Sequence, residues 1–369
     1  MKVLILTQAY PSPDSQYMMN YVHTRNKYYA SEGINFKVLS FDTDRSYIYD
    51  GIEVISEYDF HQLHSQNELD LIISHAPNLR NHLRFLKKKE VKYKKLLFFF
   101  HGHEVLIKSH YYPKPYNYVK RKPLNELTQL LYDHVKVKFL GSFFRERLKE
   151  NHASLIFVSQ WMKDAFMDNI NIDRKLVDNN CYIIHNSLNK EFIETSYNFD
   201  STKKADFITV RPFDQSKYAI DVVVKLAEEN PQFTFHVYGK GDYFKHNLKP
   251  KNLEVFYEFF TPEQLSNLLD HYRCAIMPTR LDAQGVMMCE MAAYGIPVIT
   301  SNLSICKEMV SDYGNTYFID NDQAAINLEK IMGKFDKTTS PETLKKKFSS
   351  RNTYYREVEV IKEIINNKP

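Results

Sequence analysis

Little in this chain points to a metal centre, a redox cofactor or a membrane span. Its 369 residues include four cysteines, one tryptophan and ten glycines. The cysteines, Cys181, Cys274, Cys289 and Cys306, form no C-x-x-C pair, and most lie in or beside apolar runs. That spacing argues against a zinc site and reads as buried thiols in a reducing compartment. No G-x-G-x-x-G occurs, so use of a nicotinamide dinucleotide has no support. No stretch reaches the roughly 18 apolar residues that a spanning helix needs. The first residues, MKVLILTQAYPSPDS, hold only the short run VLIL. A signal peptide needs a longer apolar core, so this run reads as a first buried strand. Net charge is only +4, which does not by itself call for nucleic acid.

Aromatic residues, by contrast, are plentiful: 26 Tyr and 25 Phe. With 25% charged residues the composition is globular, and the length suits two domains. Short continuous apolar runs alternate with stretches long enough for helices. Six strand candidates lie in the first half: 3–6, 36–41, 71–74, 96–100, 155–158 and 182–184. Six more lie in the second: 207–210, 233–238, 253–256, 274–277, 297–299 and 316–319. Such runs predict parallel sheets covered on both faces. In TPEQLSNLLDHY, Thr261 reads as an N-cap with Pro262 in the first turn. KYAIDVVVKLAEENP reads as a helix from Lys217 stopped by Pro231. RNTYYREVEVIKEII reads as a terminal amphipathic helix with Tyr355, Val358, Val360, Ile361, Ile364 and Ile365 inward. The polar stretch 187–206 reads as a linker. The expectation is therefore two Rossmann-like α/β/α domains facing across a cleft. They cover 1–195 and 196–347, and helix 348–369 packs back on the first domain.

Ligands of such sheets bind beyond the carboxyl ends of the strands. Several ionisable residues stand at such ends. Arg211 and Lys217 flank a strand–helix turn, where cations suit a diphosphate; an ordinary ion pair and a solvated lysine are the plain alternatives. Gly239 and Gly241 follow another strand, a weak signal on its own. His101 and His103 follow the strand LLFFF, and His75 ends another. In PTRLDAQGVMMCEMAAYGIPVIT, Asp282 and Glu290 stand eight residues apart. The pattern alone leaves two readings: a turn acid with a buried, paired helix acid, or two carboxylates at a sugar-nucleotide site.

That last segment carries a resemblance. An acid, a small turn, a second acid eight residues on, then Ala292, Gly295 and Pro297-Val298-Ile299 resemble retaining GT-B glycosyltransferases. The likeness is closest to the family-4 type, also called glycosyl transferases group 1, which assembles bacterial surface polysaccharides. Weaker likenesses follow in matching order: HAPN at 75, FFFHGHE at 98, VSQWMK at 158, HNSLNKEF at 185, RPFDQSKYAID at 211 and YGKGD at 238. The chain departs from the pattern in having Asp282 for the usual Glu, Ala283-Gln284 for a small-aromatic pair, and YPSPDSQY where paired glycines are usual.

The resemblance implies roles. Glu290 would accept the ribose hydroxyls of the donor. Asp282 would meet the transferred sugar. Arg211 and Lys217 would neutralise the departing phosphate. Gly239, Gly241 and Asn186 would lie on the nucleotide side. The stretch Gln284, Gly285, Val286 and Met287 would present backbone N–H groups to the diphosphate or sugar. His101 would orient a hydroxyl near the reacting carbon, with His103, His75, Tyr10 and Tyr17 on the acceptor side. Transfer would be front-face and phosphate-assisted, with no metal required. The donor would be a UDP-sugar ahead of a GDP-sugar, and the acceptor a glycan or lipid-linked glycan. A rival reading is a non-catalytic sugar-nucleotide-binding or glycan-assembly partner.

Residues 108–149 hold ten Lys or Arg against three acids, interleaved with Tyr111, Tyr112, Tyr116, Tyr118, Phe139, Phe143 and Phe144. This suits either a solvated segment with core aromatics or contact with an anionic membrane surface. No nucleic-acid recognition motif accompanies it. The expected location is cytoplasmic, peripheral on the inner face of the membrane.

Overall fold

The computed structural model describes residues 2–15, 18–63, 68–120, 122–323 and 325–366. The chain divides into two compact units. The first comprises Met1–Lys108, Leu127–His185 and Arg351–Pro369; the second comprises Ser109–Glu126 and Asn186–Ser350. The sequence reading had placed the change near 195 and had kept 109–126 with the first part.

The first unit is built on an eight-stranded sheet. Its strands are β1 (Val3–Thr7), β2 (Phe36–Ser40), β3 (Tyr47–Tyr49), β4 (Ile52–Ile55), β5 (Leu69–His75), β6 (Tyr93–Phe100), β7 (Ala153–Phe157) and β8 (Cys181–Ile183). Their order is β3-β4-β2-β1-β5-β6-β7-β8. All pairs are parallel except β3 with β4. That hairpin was not expected from the apolar runs, because both strands are short. It turns at Asp50 and Gly51, both with positive φ, the backbone that a two-residue hairpin of matching twist requires.

The second unit holds six parallel strands: β9 (Ala205–Val210), β10 (Phe235–Tyr238), β11 (Leu253–Phe256), β12 (Tyr272–Met277), β13 (Val298–Ser301) and β14 (Thr316–Ile319). Their order is β11-β10-β9-β12-β13-β14. The chain works outward from β9 to β11, then crosses to β12 and works outward the other way. The strand order reverses between β9 and β12, and in an open α/β sheet such a reversal opens a crevice at the strands' carboxyl ends. The first sheet reverses in the same way between β1 and β5. Both units are thus Rossmann-like α/β layers.

Caps and stops follow local chemistry. Thr261 accepts from the Gln264 amide, and the Gln264 side chain accepts from the Thr261 amide, a reciprocal capping box before helix Pro262–Leu269. Helix Ile220–Glu229 begins three residues later than expected, after a short 3₁₀ turn at Ser216–Tyr218. The terminal helix Tyr354–Asn366 lies in the first unit, where Val358, Val360, Ile361 and Ile364 join the core around β1 and β5. Tyr355 points outward instead, and Glu357 points inward. The buried Glu357 carboxylate pairs with Arg25 Nε at 3.1 Å and accepts from Tyr29 Oη at 2.5 Å. Burial opposes the charge on Arg25, but Glu357 together with Tyr354 and Tyr29 outweighs it and raises the guanidinium's pKa.

Candidate functional site

The site in the second unit gathers where its strand order reverses. Arg211 follows β9 directly. It is buried, donates from Nη2 to the Met277 carbonyl at the end of β12 (3.3 Å), and its Nε has no partner among the described residues. Burial lowers its pKa, an effect that Asp282 opposes. Lys217 stands six residues on. Its Nζ lies 4.8 Å from the centre of the Tyr218 ring and 6.0 Å from that of Tyr112. The Arg211 guanidinium lies 5.6 Å from the same Tyr218 ring. The fold therefore brings two cations to one aromatic ring, whose quadrupole holds them weakly. Neither has an ion pair among the described residues. A buried cation with so little compensation is costly unless an anion arrives.

The 211–214 loop lies against the glycine turn after β10. Arg211 N donates to the Tyr238 carbonyl (2.9 Å), and Phe213 N to the Lys240 carbonyl (2.8 Å). A Cβ on Gly239 would sit 1.9 Å from the Arg211 carbonyl oxygen, and one on Gly241 2.8 Å from Asp214. These glycines are required by the close approach of two loops.

The turn after β12 is organised by Asp282. Its Oδ1 accepts from the amides of Ala283 (2.8 Å), Gln284 (3.2 Å) and Gly285 (2.7 Å). One carboxylate oxygen thus shapes the turn, and Oδ2 is left for other partners. Gly285, at φ 70°, caps helix Val286–Tyr294, whose first amides have no intrahelical carbonyl. Val286 is exposed and Met287 half-buried. Gln284 is buried and turned away from this opening. Its Oε1 accepts from Asn186 N (2.6 Å) and Nδ2 (2.7 Å), and its Nε2 donates to Asn186 O (2.9 Å). The Gln284 side chain is thus a clamp on Asn186. Glu290, one helical turn beyond Val286, is half-buried. Its Oε1 accepts from the Asn189 amide at 3.2 Å, and burial raises its pKa to about 7.

In the first unit the expected residues separate into two groups. His75 Nδ1 and His101 Nε2 lie 3.1 Å apart, at the ends of β5 and β6. His75 is fully buried, which pushes its pKa well below the usual value and keeps it neutral. His101 is half-buried and His103 exposed. Glu104 reaches neither ring. Its carboxylate accepts from the amides of His101 (2.8 Å) and Gly102 (2.7 Å), fixing the turn that carries the histidine. Tyr10 belongs to the interior. Its hydroxyl meets His23 Nδ1 (2.9 Å) and accepts from Asn26 Nδ2 (3.2 Å), so it is a core residue instead of an acceptor-facing one. Tyr17 lies outside the described residues.

Sequence reasoning missed a second feature of this unit. A polar cavity of about 550 Å3 is lined by Gln8, Asn78, Arg80, Asn81 and Tyr132, among others. Gln8 follows β1 and Asn78 follows β5, the two strands between which the order reverses. Gln8 Oε1 accepts from Asn78 Nδ2 (3.2 Å) and Asn81 Nδ2 (2.8 Å), and the Arg80 guanidinium stands 5.2 Å from the Tyr132 ring. The signal was available: residues just past the first strand and past the strand across the reversal mark the crevice.

The aromatic part of the basic segment is largely occupied. Tyr116 and Tyr118 pack against the core of the second unit, where Tyr116 Oη donates to Asp221 (3.1 Å) and Tyr118 stacks on His246. Phe143 and Phe144 are buried in the first unit. Two Asp-x-Asp triplets occur, Asp42-Thr43-Asp44 and Asp320-Asn321-Asp322. In the second, Asp320 Oδ1 accepts from the Asp322 amide, while Asn321 bridges Ser301 and Thr279. Among the described residues no group of three or more His, Cys, Asp or Glu is placed to share a metal. Nor is any described helix long and apolar enough to cross a membrane.

Residues 196–347 match the family model for glycosyl transferases group 1. An uncharacterized 41.2 kDa protein from the capsular (cps) region of Klebsiella pneumoniae is 27% identical over 133 residues, covering 35% of this chain and 36% of that protein. The Escherichia coli O-antigen biosynthesis glycosyltransferase WclY is 32% identical over 117 residues, covering 30% of this chain and 32% of that one. The chain thus spans about a third of the length of these relatives. A glycosyltransferase structure from Rickettsia africae superposes with a TM-score of 0.64 at 13% identity, covering 100% of this chain and 99% of that one. The fold is that of the GT-B glycosyltransferases.

Proposed function

We propose that the protein is a retaining glycosyltransferase. It moves a hexosyl or N-acetylhexosaminyl group from a nucleotide-sugar, UDP-linked ahead of GDP-linked, to a growing surface glycan or its lipid-linked precursor. The observation that carries this reading is the pair of cations on the Tyr218 ring, Arg211 and Lys217, neither of which has an ion pair among the described residues. They stand at the carboxyl end of the strands in the stretch that matches the group 1 family. A nucleoside diphosphate supplies the missing anion. As the bond from sugar to phosphate breaks, negative charge grows on the leaving phosphate, and the buried Arg211 with Lys217 near it act on that charge.

The other residues take roles consistent with their placement. Glu290 accepts the ribose hydroxyls, which favours its ionised form. Asp282 Oδ2 meets the transferred sugar, while Oδ1 keeps the turn rigid. The amides of Val286 and Met287 face the phosphates, and Gly239 and Gly241 let the 211–214 loop close. Gln284 and Asn186 hold the opening in shape. The first unit serves the acceptor: Gln8, Asn78 and Asn81 offer amides to sugar hydroxyls, and His101, held by His75 and Glu104, orients the incoming hydroxyl. No metal is required, because the two cations and the helix amides provide the positive field. The enzyme works in the cytoplasm, against an anionic membrane surface.

The test is a panel of UDP- and GDP-sugars. One nucleotide should raise the melting temperature, and its sugar should be hydrolysed slowly without acceptor. Lys217→Ala and Glu290→Ala should each lower hydrolysis about 100-fold or more. Stabilisation by a nucleotide without any hydrolysis would indicate a non-catalytic binding partner. No shift with either nucleotide would overturn both readings.

A further inference from the structure

The polar cavity of the first unit is rich in hydrogen-bond donors. Its volume of about 550 Å3 suits a small ligand, and four carboxamides, Thr128, Tyr132 and Arg80 line it. Gln8 Oε1 is spent on Asn78 Nδ2 and Asn81 Nδ2 (3.2 and 2.8 Å), which fixes the orientation of that carboxamide. Gln8 Nε2 has no partner among the described residues. Asn78 Oδ1 is taken by the Asn81 amide at 2.9 Å. Each asparagine keeps a second side-chain N–H. Arg80 is exposed, and its guanidinium makes no hydrogen bond or ion pair among the described residues. It stands 5.2 Å from the Tyr132 ring on helix Pro123–Lys149, a contact that favours its charge and holds its fork in place. Among the described residues no acid lines the cavity. Asp133, next to Tyr132, is buried and directed elsewhere. It accepts from Lys108 N (2.9 Å) and Gln129 Nε2 (3.1 Å) and pairs with Lys136 (2.9 Å).

We propose that this cavity binds a carboxylate-bearing sugar, so that the acceptor is an acidic glycan ending in a uronic acid. A neutral hydroxyl brings a donor along with its lone pairs, and a donor-rich wall leaves that donor unmatched. A carboxylate brings acceptors only. Its two oxygens fit the planar guanidinium fork of Arg80 side by side, while the Gln8, Asn78 and Asn81 amides meet the oxygens of the sugar. One cation balances one carboxylate, whereas a phosphate dianion would leave a charge unmatched. Gln8 follows β1 and Asn78 follows β5, on either side of the reversal in strand order, so the cavity lies where an open sheet takes a ligand. That the bound sugar is the acceptor rests on the transfer reading above; that it is acidic rests on the chemistry of this cavity.

The experiment is a ligand-observed NMR titration of the full-length protein without donor. The probes are the methyl glycosides of glucuronic and galacturonic acid, those of glucose and galactose, and glucose 6-phosphate. The two acidic glycosides should bind at least tenfold more tightly than the neutral ones, and less tightly as salt rises. Arg80→Gln should bring them down to the neutral level, with an unchanged melting temperature because the side chain is exposed. Arg80→Lys keeps the charge and loses the fork, so it should recover part of the preference. Equal binding of acidic and neutral glycosides, binding of neither, or a preference that Arg80→Gln leaves intact overturns the proposal. Tighter binding of glucose 6-phosphate than of both acidic glycosides also overturns it, by assigning the cavity to a phosphate. Donor assays keep the two readings apart. Hydrolysis of a nucleotide-sugar without binding of the acidic glycosides removes the acidic acceptor alone, and binding of those glycosides without any nucleotide effect removes sugar transfer alone.

Discussion

Gln284 holds Asn186 by both sides of its peptide unit: Oε1 accepts from the backbone N–H and from the side-chain amide, and Nε2 donates to the carbonyl. Ninety-eight residues of chain separate the two. The clamp ties the start of the second unit to the turn that Asp282 shapes. Gln284→Ala should therefore cost about 3 kcal/mol, since three hydrogen bonds at a buried side chain are lost together. Gln284→Glu should also destabilise, because a carboxylate oxygen would face the Asn186 carbonyl, and more so above pH 5 than below. Urea unfolding at two pH values checks both.

Arg211 makes the opposite prediction. A buried guanidinium with an unpartnered Nε and no ion pair is a cost to the empty fold. Arg211→Met should raise unfolding stability by about 1–2 kcal/mol. The same substitution should abolish stabilisation by the donor nucleotide. Melting curves with and without nucleotide measure the two effects. A variant that is both less stable and fully competent to bind would remove the diphosphate role.

Glu290 gives stability a pH dependence whose sign is opposite to that of a salt-bridged acid. Its pKa of about 7 lies above the ordinary 4.5. Between those values the folded chain keeps a proton that the unfolded chain releases, so this residue's contribution falls as pH rises through the window. Glu290→Gln is neutral throughout. The melting temperature of the variant minus that of the natural protein should therefore grow from pH 5 to pH 8. Parallel curves would show that burial does not perturb the carboxyl.

Three glycines should divide into two responses to alanine. Gly239→Ala should destabilise by about 3 kcal/mol, because its methyl group falls on the Arg211 carbonyl and only backbone movement relieves it. Gly241→Ala should behave similarly against Asp214. Gly141, within helix Pro123–Lys149, meets only Ile170 at 3.4 Å. Gly141→Ala should stabilise by about 0.5–1 kcal/mol through helix propensity. Denaturant midpoints for the three variants separate close approach from backbone entropy.

The strands and caps were legible locally. All twelve expected strands are present; the central ones are continuous apolar runs because they are buried on both faces. The Thr261 capping box needs only four consecutive residues. The Asp282–Glu290 spacing was legible as one short turn and one helix after β12, because both are local. The β3–β4 hairpin was missed because each strand offers too few residues to show a period, though Asp50-Gly51 was a turn signal.

Everything that depends on which strand lies beside which came from tertiary structure. Chain pairing decided that Glu357 would be buried against Arg25, 332 residues away, when helical spacing had marked only the apolar positions. It paired the Gln284 side chain with Asn186, and turned Tyr10 inward to His23 and Asn26. It placed Gln8 beside Asn78 across the reversal of strand order, and Arg211 and Lys217 on one ring. Apolar periodicity is a property of neighbouring residues and can be read along the chain. The partner of a buried polar group is set by topology, because the hydrogen bond that offsets its desolvation must come from whatever element the fold brings alongside.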